Sequence, residues 1–208
     1  MIIVTILDES GSMESIKPST ISGFNEFVED RKKDVEENEK ELTKFIKITF
    51  NGDVKVDEYT NIDDIGVLDD TNYCPSGMTA LYDAIGRGLD LLTDNREEDV
   101  WFIIITDGLE NSSKTYDRNK IKTMISKYKA YKNWNFIFCG ANQDSYLTSA
   151  SIGMDGNDTV VNFTPDAVSV GALYRGISRH VSSGGAEMYN PSPKFSTKRP
   201  TLVRDTSI

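Results

Sequence analysis

Six consecutive apolar residues, Val100-Trp101-Phe102-Ile103-Ile104-Ile105, constrain this chain more than any other stretch. A nearly unbroken apolar run of that length fits a strand covered on both faces, as in a parallel sheet with helices above and below. Ile2-Ile3-Val4-Thr5-Ile6-Leu7 has the same character, being rich in β-branched residues and too short for a buried helix.

Between and after these runs, helical spacing alternates with strand signals. Ile21, Phe24, Val28 and Val35 predict an amphipathic helix over residues 15–40, and Leu81, Ala84, Ile85, Gly88 and Leu92 a second that opens at Thr79. Ile121, Met124, Ile125 and Tyr128 mark a third over 117–131, and a short one is expected around 143–152. Val170, Leu173, Ile177 and Val181 form the inward stripe of a last helix, with Pro165 in its first turn. Residues 45–50 and 54–59 flank Asn51-Gly52 and predict a β-hairpin closed by a two-residue type I′ turn. Further strands are expected at 135–139 and 159–163.

This order predicts an α/β fold: a doubly wound, mostly parallel six-stranded sheet with one antiparallel edge strand and helices on both faces. A chain of 208 residues suits one such domain, expected over 1–184. A flexible tail is expected over 185–208, where periodicity gives way to Pro, Ser, Thr, Lys and Arg.

Composition narrows the function classes. A formal charge of −10, without a Lys/Arg stripe interleaved with aromatics, argues against nucleic acid as partner. No apolar run approaches the length that spans a bilayer, so no membrane partner is expected. The first strand begins at Ile2 without the basic flank and apolar stretch of a secretory signal, which predicts a cytoplasmic protein. Cys74 and Cys139, in a loop and a buried strand, are expected to be unpaired.

In a doubly wound sheet the loops beyond the strands' carboxyl ends meet in one crevice. Three oxygen-rich loops belong on that edge: Asp8-Glu9-Ser10-Gly11-Ser12 after the first strand, Ser76-Gly77-Met78-Thr79 before the second helix, and Thr106-Asp107-Gly108 after the Val100–Ile105 run. Two carboxylates and three hydroxyls form a hard, all-oxygen set with incomplete protein coordination. Such a set suits Mg²⁺, Mn²⁺ or Ca²⁺ and not a zinc-type site.

Asp8-x-Ser10-x-Ser12, the isolated Thr79 and Asp107-Gly108 resemble the metal-ion-dependent adhesion site of the von Willebrand factor A (vWA, integrin I-like) family, in order from residue 1 to about 181. Thr79-Ala80-Leu81-Tyr82-Asp83-Ala84 and Gly140-Ala141-Asn142-Gln143-Asp144 look like small standalone bacterial or phage members, with Met78 where many such proteins have glycine. The resemblance implies that Ser10, Ser12 and Thr79 give hydroxyl oxygens to the ion, with Asp8 and Asp107 acting directly or through water. It implies that a partner protein supplies an Asp or Glu to the remaining position. It also implies a place as subunit or regulator of a larger assembly. Glu110, Asn142, Gln143 and Asp144 are candidates for a rim that chooses partners.

The resemblance thus predicts a metal-dependent protein-binding module and no enzyme. The alternative is a Mg²⁺-dependent phosphotransferase or phosphatase of haloacid-dehalogenase-like type, with Asp8 as nucleophile. That chemistry needs a second acid two residues on, where this chain has Ser10. A serine hydrolase lacks its base, because the only histidine, His180, falls on the last helix, away from these loops.

Overall fold

The computed structural model describes residues 1–38, 41–95, 98–141, 145–154 and 158–186. Six strands form one sheet: β1 (Ile2–Asp8), β2 (Lys44–Phe50), β3 (Val54–Tyr59), β4 (Val100–Thr106), β5 (Trp134–Ala141) and β6 (Thr159–Phe163). Their order is β3-β2-β1-β4-β5-β6, with every pairing parallel except that of β3 with β2. The two apolar runs, β1 and β4, are neighbours at the centre of the sheet and are buried throughout.

Five α-helices accompany the strands: α1 (Lys17–Asn38), α2 (Leu81–Asp90), α3 (Arg118–Tyr128), α4 (Ser145–Ser151) and α5 (Ala167–Ser182). Alternation along each strand divides the core in two. Ile3 and Leu7 of β1 pack with Phe24, Phe27, Leu173 and Ile177 of α1 and α5. Ile2, Val4 and Ile6 face the other way, toward Leu81, Ile85, Ile121 and Ile125 of α2 and α3. Both faces of the sheet are thereby covered, as the apolar runs require.

Several boundaries differ from the sequence expectation for identifiable reasons. A 3₁₀ turn, Gly11–Ile16, precedes α1, and α2 begins two residues after Thr79. Pro165 stands outside α5, because Asp166 is the cap and its side chain accepts a hydrogen bond from Ser169 N. The β2–β3 connection is not the two-residue type I′ turn. Phe50 pairs with Val54, leaving Asn51, Gly52 and Asp53 in the loop, and Gly52 is not among the positive-φ glycines. Asn51 explains the change: its Oδ1 accepts from Asp53 N at 3.1 Å and its carbonyl from Ala80 N at 2.7 Å. The turn therefore serves the start of α2 as well as the hairpin. Cys74 is exposed and Cys139 buried, and both are free thiols.

Candidate metal site

Parallel register brings the carboxyl ends of β1 and β4 side by side, with Leu7 opposite Ile105. Asp8, the last residue of β1, is fully buried there. One carboxylate oxygen accepts from Ser10 N at 2.7 Å, and the other from Thr106 Oγ1 at 2.5 Å. Its backbone carbonyl accepts from the buried Tyr73 hydroxyl at 2.6 Å. The side chain is thus aimed by its neighbours and fixed at both ends.

The turn after Asp8 carries the hydroxyls to the same place. Ser10 Oγ and Ser12 Oγ are 3.2 Å apart, and Ser12 Oγ donates to Asp107 Oδ1 at 2.5 Å. Thr79 reaches the cluster from the third loop. A Cβ built on Gly108 would lie 3.0 Å from Thr79 Oγ1 and 3.6 Å from Asp8 Oδ2, so both oxygens border Gly108. The five expected ligands Asp8, Ser10, Ser12, Thr79 and Asp107 therefore converge at the edge of the central strands.

Ordinary capping does not account for these hydroxyls. Ser10 stands at the N-cap of the 3₁₀ turn, yet its side chain makes no cap hydrogen bond. Ala80, not Thr79, is the N-cap of α2, and the Thr79 hydroxyl makes no hydrogen bond among the described residues. The Ser10–Ser12 separation is close to the roughly 3 Å between adjacent ligands of an octahedron with metal–oxygen distances of about 2.1 Å. Among the described residues, no cluster of three or more His, Cys, Asp or Glu side chains offers a softer metal site.

Electrostatics point the same way. Burial, outweighing the hydrogen bonds from Thr106 and Ser10, pushes the Asp8 carboxyl up to about 6, with the Asp107 charge adding to the rise. Burial also raises Asp107. Neither acid pairs with a lysine or arginine among the described residues, whereas Lys55 pairs with Glu9 at 3.3 Å. Two carboxylates held together without a countercharge favour either a proton or a cation. A divalent ion fits the donors and the charge.

The loops are tied to one another by backbone bonds. Gly11 N donates to Gly77 O at 3.3 Å and Ser76 N to Glu9 O at 2.9 Å. Gly77 has φ +74°, a conformation that favours glycine. Asn111 holds Thr79 from both sides, accepting from Thr79 N at 2.8 Å and donating its own N–H to Thr79 O at 3.0 Å.

The rim candidates divide differently. Glu110 lies beside the site, but its oxygens accept from Tyr82 N, Ser112 N, Ser113 N and Ser113 Oγ, so its described contacts organise the loop and the start of α2. Asn142, Gln143 and Asp144 lie outside the described residues. Thr106, Tyr73 and Asn111 are the supporting groups that pattern reading does not single out as ligands or supports. Thr106 carries a sequence signal, a hydroxyl ending an apolar run just before Asp107, and Asn111 carries one as a rim candidate beside Glu110, though not as the support of Thr79.

No family model matches the sequence, and no curated protein does. Solved structures do match. A von Willebrand factor type A protein from Catenulispora acidiphila aligns over 90% of this chain and 43% of its own, at 12% identity and TM-score 0.57. BatB from Bacteroides thetaiotaomicron aligns over 90% of this chain and all of its own (100%), at 14% identity and TM-score 0.57. Together with the strand order, these fix the architecture. The chain has a vWA-like fold. Proximal thread matrix protein 1 of mussel byssus, in a form whose metal-ion-dependent adhesion site holds zinc, aligns over 86% of this chain and 47% of its own, at 16% identity and TM-score 0.59. The vWA-like chain spans about half the length of the first solved structures that it matches, from 43% to 61%. No helix among the described residues is long and apolar enough to cross a membrane.

Proposed function

We propose that this chain is a metal-dependent protein-binding module. Asp8, Ser10, Ser12, Thr79 and Asp107 hold a divalent cation, Mg²⁺ in the first instance or Mn²⁺ or Ca²⁺, and the ion captures an Asp or Glu of a partner protein. The observation that carries this reading is the convergence of buried, uncompensated carboxylates with hydroxyls that cap no helix. The mussel protein supports a divalent ion at the corresponding site. Its zinc makes Zn²⁺ a necessary arm of any ion titration.

The module is proposed to bind and not to catalyse. Ser10 occupies the position where a phosphotransferase would keep its second acid. His180 lies against Trp101 at the start of β4, with ring centroids 5.4 Å apart, and within 3.3 Å of Thr159 at the start of β6. That is the opposite edge of the sheet from the serines, so no histidine can activate them. A cytoplasmic location and a role within a larger assembly belong to the same proposal.

The test is affinity capture of partners by the intact chain in Mg²⁺ or Mn²⁺ against chelator, with Thr79→Ala as control. Partners held through the ion leave in chelator and do not bind the variant. Partners indifferent to both changes overturn the proposal, and so does Mg²⁺-dependent turnover of a phosphate ester that Asp8→Asn abolishes.

A further inference from the structure

Exposed large apolar side chains are unevenly placed on this molecule. Among the described residues they are Val67, Met78, Leu109, Leu147 and Val168, from 52% to 79% exposed. Val67 adjoins Leu68, which is strapped to α1 by Asn25. The other four lie on the sheet edge that carries the oxygen cluster. Met78 precedes Thr79, and its Cβ is 3.9 Å from where a Gly52 Cβ would be, which places it at the end of β2. Leu109 follows Asp107-Gly108 beyond β4. Leu147 is in the first turn of α4, after β5, and Val168 in the first turn of α5, after β6.

Strand order arranges these four residues along the edge. The edge reads Met78 at β2, the ion ligands at β1 and β4, Leu109 beyond Asp107 on the β4 side, Leu147 at β5 and Val168 at β6. Apolar residues scattered singly over a surface need no explanation. Four aligned on one edge, on both sides of a cluster that would hold a cation, are a different matter.

We propose that these residues select the partner's sequence around its acid: an extended segment in which the acidic residue is flanked on each side by a large apolar residue. The proposal rests on the metal-dependent reading above and specifies the ligand of that same site. A carboxylate on the ion fixes the segment's position but is exchanged against water, so it contributes orientation more than affinity. Burial of apolar side chains beside it supplies the affinity. Neighbouring strands are about 4.8 Å apart, so an acid held by ligands on β1 and β4 has Met78 on its β2 side and Leu109 on its β4 side, each within a few strand spacings. In an extended segment, residues two apart share a face and are separated by about 6.8 Å. Apolar residues two before and two after the acid would therefore share its face, one directed toward Met78 and the other toward Leu109. Leu147 and Val168 lengthen the contact on one side only, which gives the segment a direction.

The test uses the full chain and two labelled, end-blocked pentapeptides, each with a central aspartate between serines. One carries leucine at both ends and the other glycine. Fluorescence anisotropy in saturating Mn²⁺ should show the leucine peptide binding on the order of tenfold tighter. Both peptides should be released by chelator. The double variant Met78→Ser, Leu109→Ser should bind the leucine peptide no better than the glycine peptide, while its Mn²⁺ affinity by calorimetry is unchanged. Equal binding of the two peptides to a chain that does bind Mn²⁺ overturns this inference and leaves the metal-dependent reading standing. Leucine-peptide binding that persists in chelator also overturns it, since the apolar edge would then act without the ion. Failure of the wild-type chain to bind Mn²⁺ removes the metal-dependent reading and this inference with it.

Discussion

Asp8 concentrates the tension in this molecule. It is fully buried, its carboxyl is pushed up from 3.8 to about 6 by burial, and its two oxygens are aimed by Ser10 and Thr106. Because the folded-state value lies above the ordinary one, the fold favours the protonated acid. That contribution to stability is complete below about pH 4 and is lost as pH rises through about 6. In chelator at neutral pH, Asp8→Asn should therefore raise stability by about 1–3 kcal/mol, since asparagine keeps the shape without the buried charge. Denaturant unfolding measures the gain, and a loss of stability on this substitution would mean that the ionised carboxylate is well solvated in the fold. The ion must displace the same proton, so Mn²⁺ affinity should strengthen from pH 5 to pH 7. Calorimetry at the two pH values, which should also register proton release at the lower one, checks this. Gly108 has a matching role. Its missing side chain leaves room for Thr79 Oγ1 and Asp8 Oδ2, a requirement that Asp107-Gly108 in the sequence hints at but does not locate.

Among the elements, α1 and α5 form the most specific joint. Arg31 of α1 is 1% exposed and donates to Ser178 O at 3.0 Å, Ser178 Oγ at 2.8 Å and Ser182 Oγ at 2.8 Å, while pairing with Asp34 at 2.9 Å. Asp30 and Asp34 accept in turn from Ser178 and Ser182. Removing the guanidinium leaves buried acceptors without their charged donor, so Arg31→Ala should cost about 3–5 kcal/mol. Arg31→Met, which refills much of the volume, should cost less. Urea unfolding of both variants checks the order, and equal stability with wild type would show that water replaces the arginine without penalty. About two turns earlier on α1, a Cβ on Gly23 would stand 2.2 Å from the ring of Tyr174, itself only 2% exposed. Gly23→Ala should thus force the two helices apart at about 1–3 kcal/mol, seen as a lower unfolding midpoint with the metal response retained. Periodicity makes α1 and α5 legible, because Phe24 and Val28, or Leu173 and Ile177, repeat at helical spacing. The joint itself is not legible: Arg31 and Ser178 are 147 residues apart and read alone as surface residues. Asn51-Gly52 misleads for a related reason, since the Asn51 carbonyl is engaged by a residue that follows the next long loop.

At the scale of the whole molecule, the two apolar runs determine where the site can be. They must occupy the middle of a covered parallel sheet, and Asp8 follows one directly and Asp107 the other after Thr106, so the meeting of those acids was legible in the sequence. The supports were not, because Thr79 is placed by Asn111 from 32 residues away and Asp8 by Tyr73 from 65 away. An ion on Asp8, Ser10, Ser12, Thr79 and Asp107 would join segments nearly 100 residues apart that share no site in the unfolded chain. Binding to the folded state alone adds stability that grows with the logarithm of free ion, about 2.7 kcal/mol at one hundred times the dissociation constant. For a chain of this size each kcal/mol moves the melting temperature by about 2–4 °C. Mn²⁺ should therefore raise Tm by roughly 5–10 °C at that excess, and chelator should reverse it. Thr79→Ala should reduce the rise, and Asp8→Asn should abolish it even though that variant is more stable without metal. Hydrogen exchange should slow in the three loops together, around Ser10, Thr79 and Asp107, and not at the β2–β3 turn's far strand. A melting temperature indifferent to divalent ions at every concentration would instead leave Asp8 and Asp107 as acids that the fold keeps protonated, and their convergence would then be a feature of packing alone.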